Sequence, residues 1–109
     1  MDNVLNDLYK LVCERKDKAV PNSYTSYLFE KGLDKILKKC GEENAEMIIA
    51  AKNNDSVELK NEIADLIYHV VVLCAESGLG WSEVEEALSE RGKKVGNLKK
   101  FHNIENDML

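Results

Sequence analysis

The sequence predicts an all-α fold, a helical bundle of four to five helices completed by dimerisation. Apolar residues recur at helical spacing along most of the chain, and no strand-like alternation of useful length interrupts them. Capping residues and Gly or Asn stops bracket the periodic segments. With 109 residues the chain is one domain of thin private core, yet it carries two broad apolar stripes. Two chains sharing one bundle would cover them.

Each element has its own signal. Val4, Leu5, Leu8, Leu11 and Val12 mark a first amphipathic helix that fades at Lys16-Asp17-Lys18. Pro21-Asn22 makes a loop, and Ser23 caps a short helix that runs through Leu28 to Lys31 and stops at Gly32. Asp34 is expected to cap a longer helix reaching about Lys52, where Asn53-Asn54 ends it. Asp55, with Glu58 three residues on, forms a capping box for a helix to Ser77-Gly78. The last helix is expected from Ser82, with Glu85 completing its capping box, to about Glu90, and Trp81 serves it as a hydrophobic staple. The domain is thus expected over residues 1–92, followed by a polar tail, 93–109, that is mobile or loosely docked and holds His102.

Composition excludes several functions. A formal charge of −5 lacks the basic footprint of a nucleic-acid binder. The longest apolar run, Val70 to Ala75, is far short of the ~18–20 residues of a membrane span, and no charged-then-apolar leader opens the chain. Cys13, Cys40 and Cys74 lie in apolar helical patterns without a C-x-x-C, as reduced core residues of a cytoplasmic protein do.

The apolar stripes are Ile36, Leu37, Cys40, Met47, Ile48 and Ala51 on one long helix, and Ile63, Leu66, Ile67, Val70, Leu73 and Cys74 on the next. Bordering the first are Glu42, Glu43 and Glu46, with Glu42 and Glu46 about 40° apart and Glu43 about 60° beyond. Glu62 and Asp65 are neighbours on the second. An E-E-x-x-E segment alone is what a solvated helix face looks like, as are Glu58 and Glu83. Joined to E-x-x-D on a facing helix, it gathers carboxylate oxygens suited to Mg²⁺ or Mn²⁺ and not to Zn²⁺. The E-x-x-H pairs of a di-iron site are missing from both long helices. Lys35 and Lys39 precede Glu42 on its face, as ion-pair partners and as cations for phosphate oxygens. His69, one turn after Asp65, is a satisfied core histidine or a catalytic group.

Residues 21–52 read Pro-x-Ser-Tyr-Thr, Lys31-Gly32-Leu33-Asp34-Lys35-Ile36-Leu37-Lys38-Lys39, Gly41-Glu42-Glu43-x-x-Glu46 and Ala50-Ala51-Lys52-Asn53. With Glu62-x-Ala64-Asp65-Leu66-x-Tyr68-His69, this resembles phosphoribosyl-ATP pyrophosphohydrolase of histidine biosynthesis, within the MazG-like all-α nucleotide pyrophosphohydrolases. The resemblance spans about residues 3–92. It implies Mg²⁺-dependent hydrolysis of phosphoribosyl-ATP to phosphoribosyl-AMP and pyrophosphate. By position, Glu42, Glu43, Glu46, Glu62 and Asp65 become the metal-binding set, and Ser23, Tyr24, Thr25, Lys35 and Lys39 the substrate contacts. The family often has a Ser-Gly stretch after Arg91-Gly92, where this chain has Lys93-Lys94-Val95-Gly96. No cyclohydrolase segment is attached, so the next pathway step is expected from another chain.

A triphosphate beside those carboxylates needs cations between them, since like charges at ~4 Å repel by ~4 kcal/mol at an effective dielectric of 20. Metal ions remove the repulsion and acidify a bound water, whose proton goes to Glu43 or Glu46. The expected enzyme takes a phosphorylated nucleotide, no nucleic acid and no membrane, and is a homodimer or dimer of dimers. Its rivals are a housecleaning (d)NTP pyrophosphohydrolase of the same superfamily and a non-catalytic helical interaction module.

Overall fold

The computed structural model describes residues 3–94 and is all-α: α1 Val4–Asp17, α2 Tyr24–Lys31, α3 Leu33–Lys52, α4 Ser56–Ser77 and α5 Trp81–Lys94. These residues fall into two compact units, one ending at Leu79 and holding α1 to α4, the other beginning at Gly80 and holding α5. No described helix is long and apolar enough to cross a membrane. Residues 95–109, with His102 and most of the expected tail, lie outside the described ones.

In the first unit α3 lies along α4, α1 packs on α4, and α2 touches both α1 and α3. Val12, Leu28, Ile36, Val71 and Val72 are fully buried, so each of the four helices contributes to one core. Asn3, Ser23 and Asp55 cap α1, α2 and α4, each side chain accepting the N–H three residues on. The α3–α4 connection is a Schellman turn: Asn54, at φ 56°, lets Asp55 N–H reach the Ala50 carbonyl at 3.1 Å and Asn54 N–H reach Ala51 at 3.2 Å. Lys16, in the last turn of α1, donates to the carbonyls of Ala75 and Glu76, where the α4 dipole favours a cation.

Asp34 does not cap α3. Gly32 occupies that position, no side chain bonds there, and Asp34 sits inside the first turn. Gly32 joins α2 to α3 alone, at φ 92° and ψ −172°, a region that only glycine enters freely. Nothing lies within 4 Å of where its Cβ would be, so the cost of a side chain is purely torsional. Gly32→Ala is expected to lose roughly 1–3 kcal/mol of stability, read from urea unfolding. A loss within a few tenths would mean the joint tolerates an L-residue.

The start of α5 also differs from expectation. The helix begins at Trp81, and the reciprocal bonds run between Gly80 and Glu83, with Glu83 N–H to the Gly80 carbonyl at 3.0 Å and Gly80 N–H to Glu83 Oε2 at 3.1 Å. Glu85 is therefore not the capping glutamate, and Trp81, buried in the first turn, is not at the staple position before the cap. The helix continues past Glu90 to Lys94, where Lys93 pairs with Glu90.

The buried seam of α3 is not the expected stripe. Ile36, Glu43 and Ala50, seven residues apart, are its buried positions, whereas Leu37 and Ile48 are 45% and 52% exposed. At ~100° per residue the helix is turned about 60° toward its acids relative to the apolar stripe. On α4, Ile63 and Ile67 likewise stay exposed. An apolar flank thus runs along both long helices, on the side of the seam away from Glu42 and Glu46.

Candidate active site

The turn of α3 draws Glu43 into the α3–α4 seam opposite Glu62. Both are buried, each 7% exposed. Asp65, one turn after Glu62, is exposed and completes the group: one oxygen from each of Glu43, Glu62 and Asp65 lies within 4.8 Å of the others. Oε2 of Glu43 and Oε2 of Glu62 are buried without a partner. Leaving such an acceptor unmet costs ~1–3 kcal/mol, more when charged, so the arrangement is poor for stability alone. All three donors are carboxylates, a set suited to a hard divalent cation.

Crowding of these carboxyls shifts a protonation equilibrium. Hydrogen bonds with Glu46, then Glu43 and Glu58, raise the Glu62 pKa from 4.5 to about 8, with burial adding to the shift. Glu46 is exposed and approaches Glu62 from the cavity side. That cavity, of about 280 Å³, is lined by Glu46, Asn53, Asp55, Glu58 and Glu62 among others. Glu42 stands apart, exposed and 3.4 Å from Lys39 Nζ, which also approaches Glu43 at 3.5 Å. Burial works to lower the Lys39 pKa, but its hydrogen bond to Glu42 and the charges of Tyr24, Glu43 and Glu42 raise it on balance. The lysine thus stays charged at the mouth of the acid cluster.

An aromatic corner adjoins the cluster through Asp65. His69, 4% exposed, places Nδ1 2.7 Å from the Asp65 carbonyl oxygen, which can only accept. Nδ1 therefore carries the proton in the neutral ring, and Nε2 accepts the Tyr24 hydroxyl at 3.0 Å. With both nitrogens engaged, His69 holds the Tyr24 hydroxyl against α4. Tyr24 in turn neighbours the Tyr27 and Tyr68 rings, with centroids 6.0 and 6.2 Å away. Thr25 Oγ1 is bonded to the Tyr68 hydroxyl, tying α2 to α4. Burial raises the pKa of both Tyr24 and Tyr68, so both stay neutral phenols at physiological pH.

The sequence-derived candidates therefore separate. Glu43, Glu62 and Asp65 converge, with Glu46 beside Glu62 in the cavity lining, while Glu42 turns to Lys39. Ser23 is engaged in capping α2, and its neighbours Tyr24 and Thr25 bond to α4. Lys35, half-buried, forms no ion pair among the described residues. Glu58 is exposed, as a solvated acid is, and it also lines the cavity beside Glu62. Its signal was present, since Glu58, Glu62, Asp65 and His69 follow i, i+4, i+7, i+11 on one helix face.

Comparison with known proteins gives one consistent result. The family model described as phosphoribosyl-ATP pyrophosphohydrolase matches residues 5–92. A phosphoribosyl-ATP pyrophosphatase of Clostridium botulinum is 51% identical over 98 residues, covering 90% of this chain and 89% of the relative. One from Clostridium novyi is 50% identical over 101 residues, covering 91% and 92%. Another, from Listeria welshimeri, is 53% identical over 96 residues, covering 88% and 92%.

Proposed function

Because the chain belongs to the phosphoribosyl-ATP pyrophosphohydrolase family, we propose that it hydrolyses phosphoribosyl-ATP to phosphoribosyl-AMP and pyrophosphate, the second step of histidine biosynthesis, in the cytoplasm. The observation that carries the mechanism is the convergence of Glu43, Glu62 and Asp65, two of them with buried oxygens that no protein group meets. These residues fit Mg²⁺, with Mn²⁺ the closest substitute, and would hold it through carboxylate oxygens. When bound, the ion neutralises phosphate charge and acidifies water.

The chain's own groups do the rest. Glu62, whose pKa is raised to about 8, would have to be ionised to serve as a ligand of such an ion. Glu46, exposed and directed to the cavity, is placed to accept the proton of the attacking water. Lys39, already poised between Glu42 and Glu43, can turn its ammonium to a phosphate oxygen. Tyr24, its hydroxyl fixed by His69, offers a half-exposed ring face beside these groups for the base.

The active species is a homodimer in this reading. Leu37 and Ile48 of α3 and Ile63 and Ile67 of α4 present one exposed apolar flank, on the side of the seam away from Glu46. A second copy covers it by the same helix packing that joins α3 to α4.

A panel of phosphoribosyl-ATP, ATP and dNTPs, assayed for pyrophosphate release with and without Mg²⁺, tests the activity. Phosphoribosyl-ATP is expected to be preferred, with no turnover in chelator. Preference for dNTPs would transfer the chain to nucleotide-pool cleansing, and no turnover of any substrate would remove the enzymatic reading.

A further inference from the structure

A second cavity of the first unit lies away from the acids. It is a groove of about 730 Å³ between the end of α1 and the start of α2. Its shape comes from a tight turn, in which Ser23 N–H bonds to the Val20 carbonyl at 3.2 Å, with Pro21 and then Asn22, at φ 64°, as the central residues. Arg15 and Lys16 supply positive charge from one wall. Arg15 has no ion pair or hydrogen bond among the described residues. Lys16 uses two of its three N–H donors on the α4 carbonyls.

Hydroxyls line the facing wall, and local bonding fixes their polarity. Ser26 Oγ accepts the Val20 N–H at 3.0 Å, and Ser23 Oγ accepts the Ser26 N–H at 3.1 Å. Each keeps its own O–H hydrogen to donate. Glu30 adds one carboxylate to the lining. Cations and hydroxyl donors suit a phosphate; the nearby carboxylate suits sugar hydroxyls. The combination therefore fits a sugar phosphate better than a bare anion.

A chain of ring contacts runs from this groove toward the acid cluster. Tyr27 lines the groove and stacks on Tyr24 at 6.0 Å, Tyr24 meets the His69 ring at 5.7 Å, and His69 bonds to the Asp65 carbonyl. A substrate with anionic groups at both ends and a purine between them has the same sequence of parts. We propose that the groove lined by Arg15, Lys16, Ser23, Ser26 and Glu30 seats the ribose-5-phosphate unit of phosphoribosyl-ATP, while the triphosphate lies at Glu43, Glu62 and Asp65 and the base on Tyr24 and Tyr27. This rests on the substrate assigned under Proposed function, and it makes Arg15 a specificity-determining residue.

The test compares kcat/KM for phosphoribosyl-ATP and ATP in the full-length wild type, Arg15→Gln, Arg15→Lys and Ser26→Ala. Arg15→Gln is expected to lower the preference for phosphoribosyl-ATP at least tenfold, chiefly through KM, and Arg15→Lys to restore part of it by returning the charge. An NMR titration of wild type with ribose 5-phosphate should shift the Ser23, Ser26 and Tyr27 amides, while ribose alone should not. An Arg15→Gln preference equal to wild type, or ribose 5-phosphate shifts confined to the acid cluster, would overturn the groove assignment and leave the activity standing. A folded wild type that releases no pyrophosphate from phosphoribosyl-ATP would overturn both.

Discussion

Glu62→Gln is expected to lower kcat/KM by at least ~100-fold while raising the thermal stability of the metal-free protein near pH 8. The two effects share one cause. Glu62 is surrounded by Glu46, Glu43 and Glu58, and its pKa rises to about 8 from an ordinary 4.5. A folded-state pKa above the unfolded one means the folded chain holds the extra proton. The associated stability is fully present below 4.5 and is lost as pH climbs to about 8. Glutamine keeps the shape and hydrogen bonding without ionising, so the variant escapes that loss but cannot replace an anionic ligand. Scanning calorimetry in chelator should show the melting temperature of the variant pulling ahead of wild type as pH rises from 5 to 8. Near-normal turnover of the variant at saturating Mg²⁺ would remove Glu62 from the metal set, and a lower melting point at pH 8 would contradict the proton-sharing account.

Disrupting the apolar flank should be equally severe. Ile63 and Ile67, 39% and 37% exposed, lie one turn apart on α4. An Ile63→Asp/Ile67→Asp double variant should fold as a single chain, because neither side chain belongs to the buried core. In a dimer it would bury unpaired carboxylates, each carrying a penalty of several kcal/mol. Each ~1.4 kcal/mol weakens association tenfold, so the dimer should be lost at micromolar concentration. Sedimentation should report a monomer, and activity should fall with it. A fully active wild-type monomer, or a double variant that still dimerises, would exclude this flank as the interface.

Much of the fold was legible because its signals are local. Ser23 and Asp55 cap by chemistry confined to three or four residues, and Gly78 and Asn54 end helices by tolerating a left-handed backbone. Where two local solutions competed, the sequence pattern chose less well. Ser82 with Glu85 and Gly80 with Glu83 both have capping-box spacing, and the start of α5 uses the second. Helix rotation was a different matter. Leu37 and Ile48 are as apolar as Ile36, and nothing within α3 says which of them faces α4 and which is left over. Burial of Glu43 and Glu62 resolves the choice, and it follows from pairing two helices, not from either one. The acids' identities could thus be read from spacing, but their sorting into a convergent group of two buried glutamates and an exposed Asp65, a cavity-side pair and an outward Glu42 required the packed seam.

With the substrate seated as proposed above, Gly32 makes the molecule a gauge of ligand length. α2 carries Tyr24, Tyr27 and the serines, α3 carries Glu43 and Glu46, and one residue separates the two helices. A longer connection would let that interval breathe and admit nucleotides of assorted reach. With no slack, only a molecule extending past the base meets both ends at once, whereas a shorter one must leave an end empty. Discrimination is then set by the spacing between two rigid rods, and it needs no moving part that closes over the bound molecule.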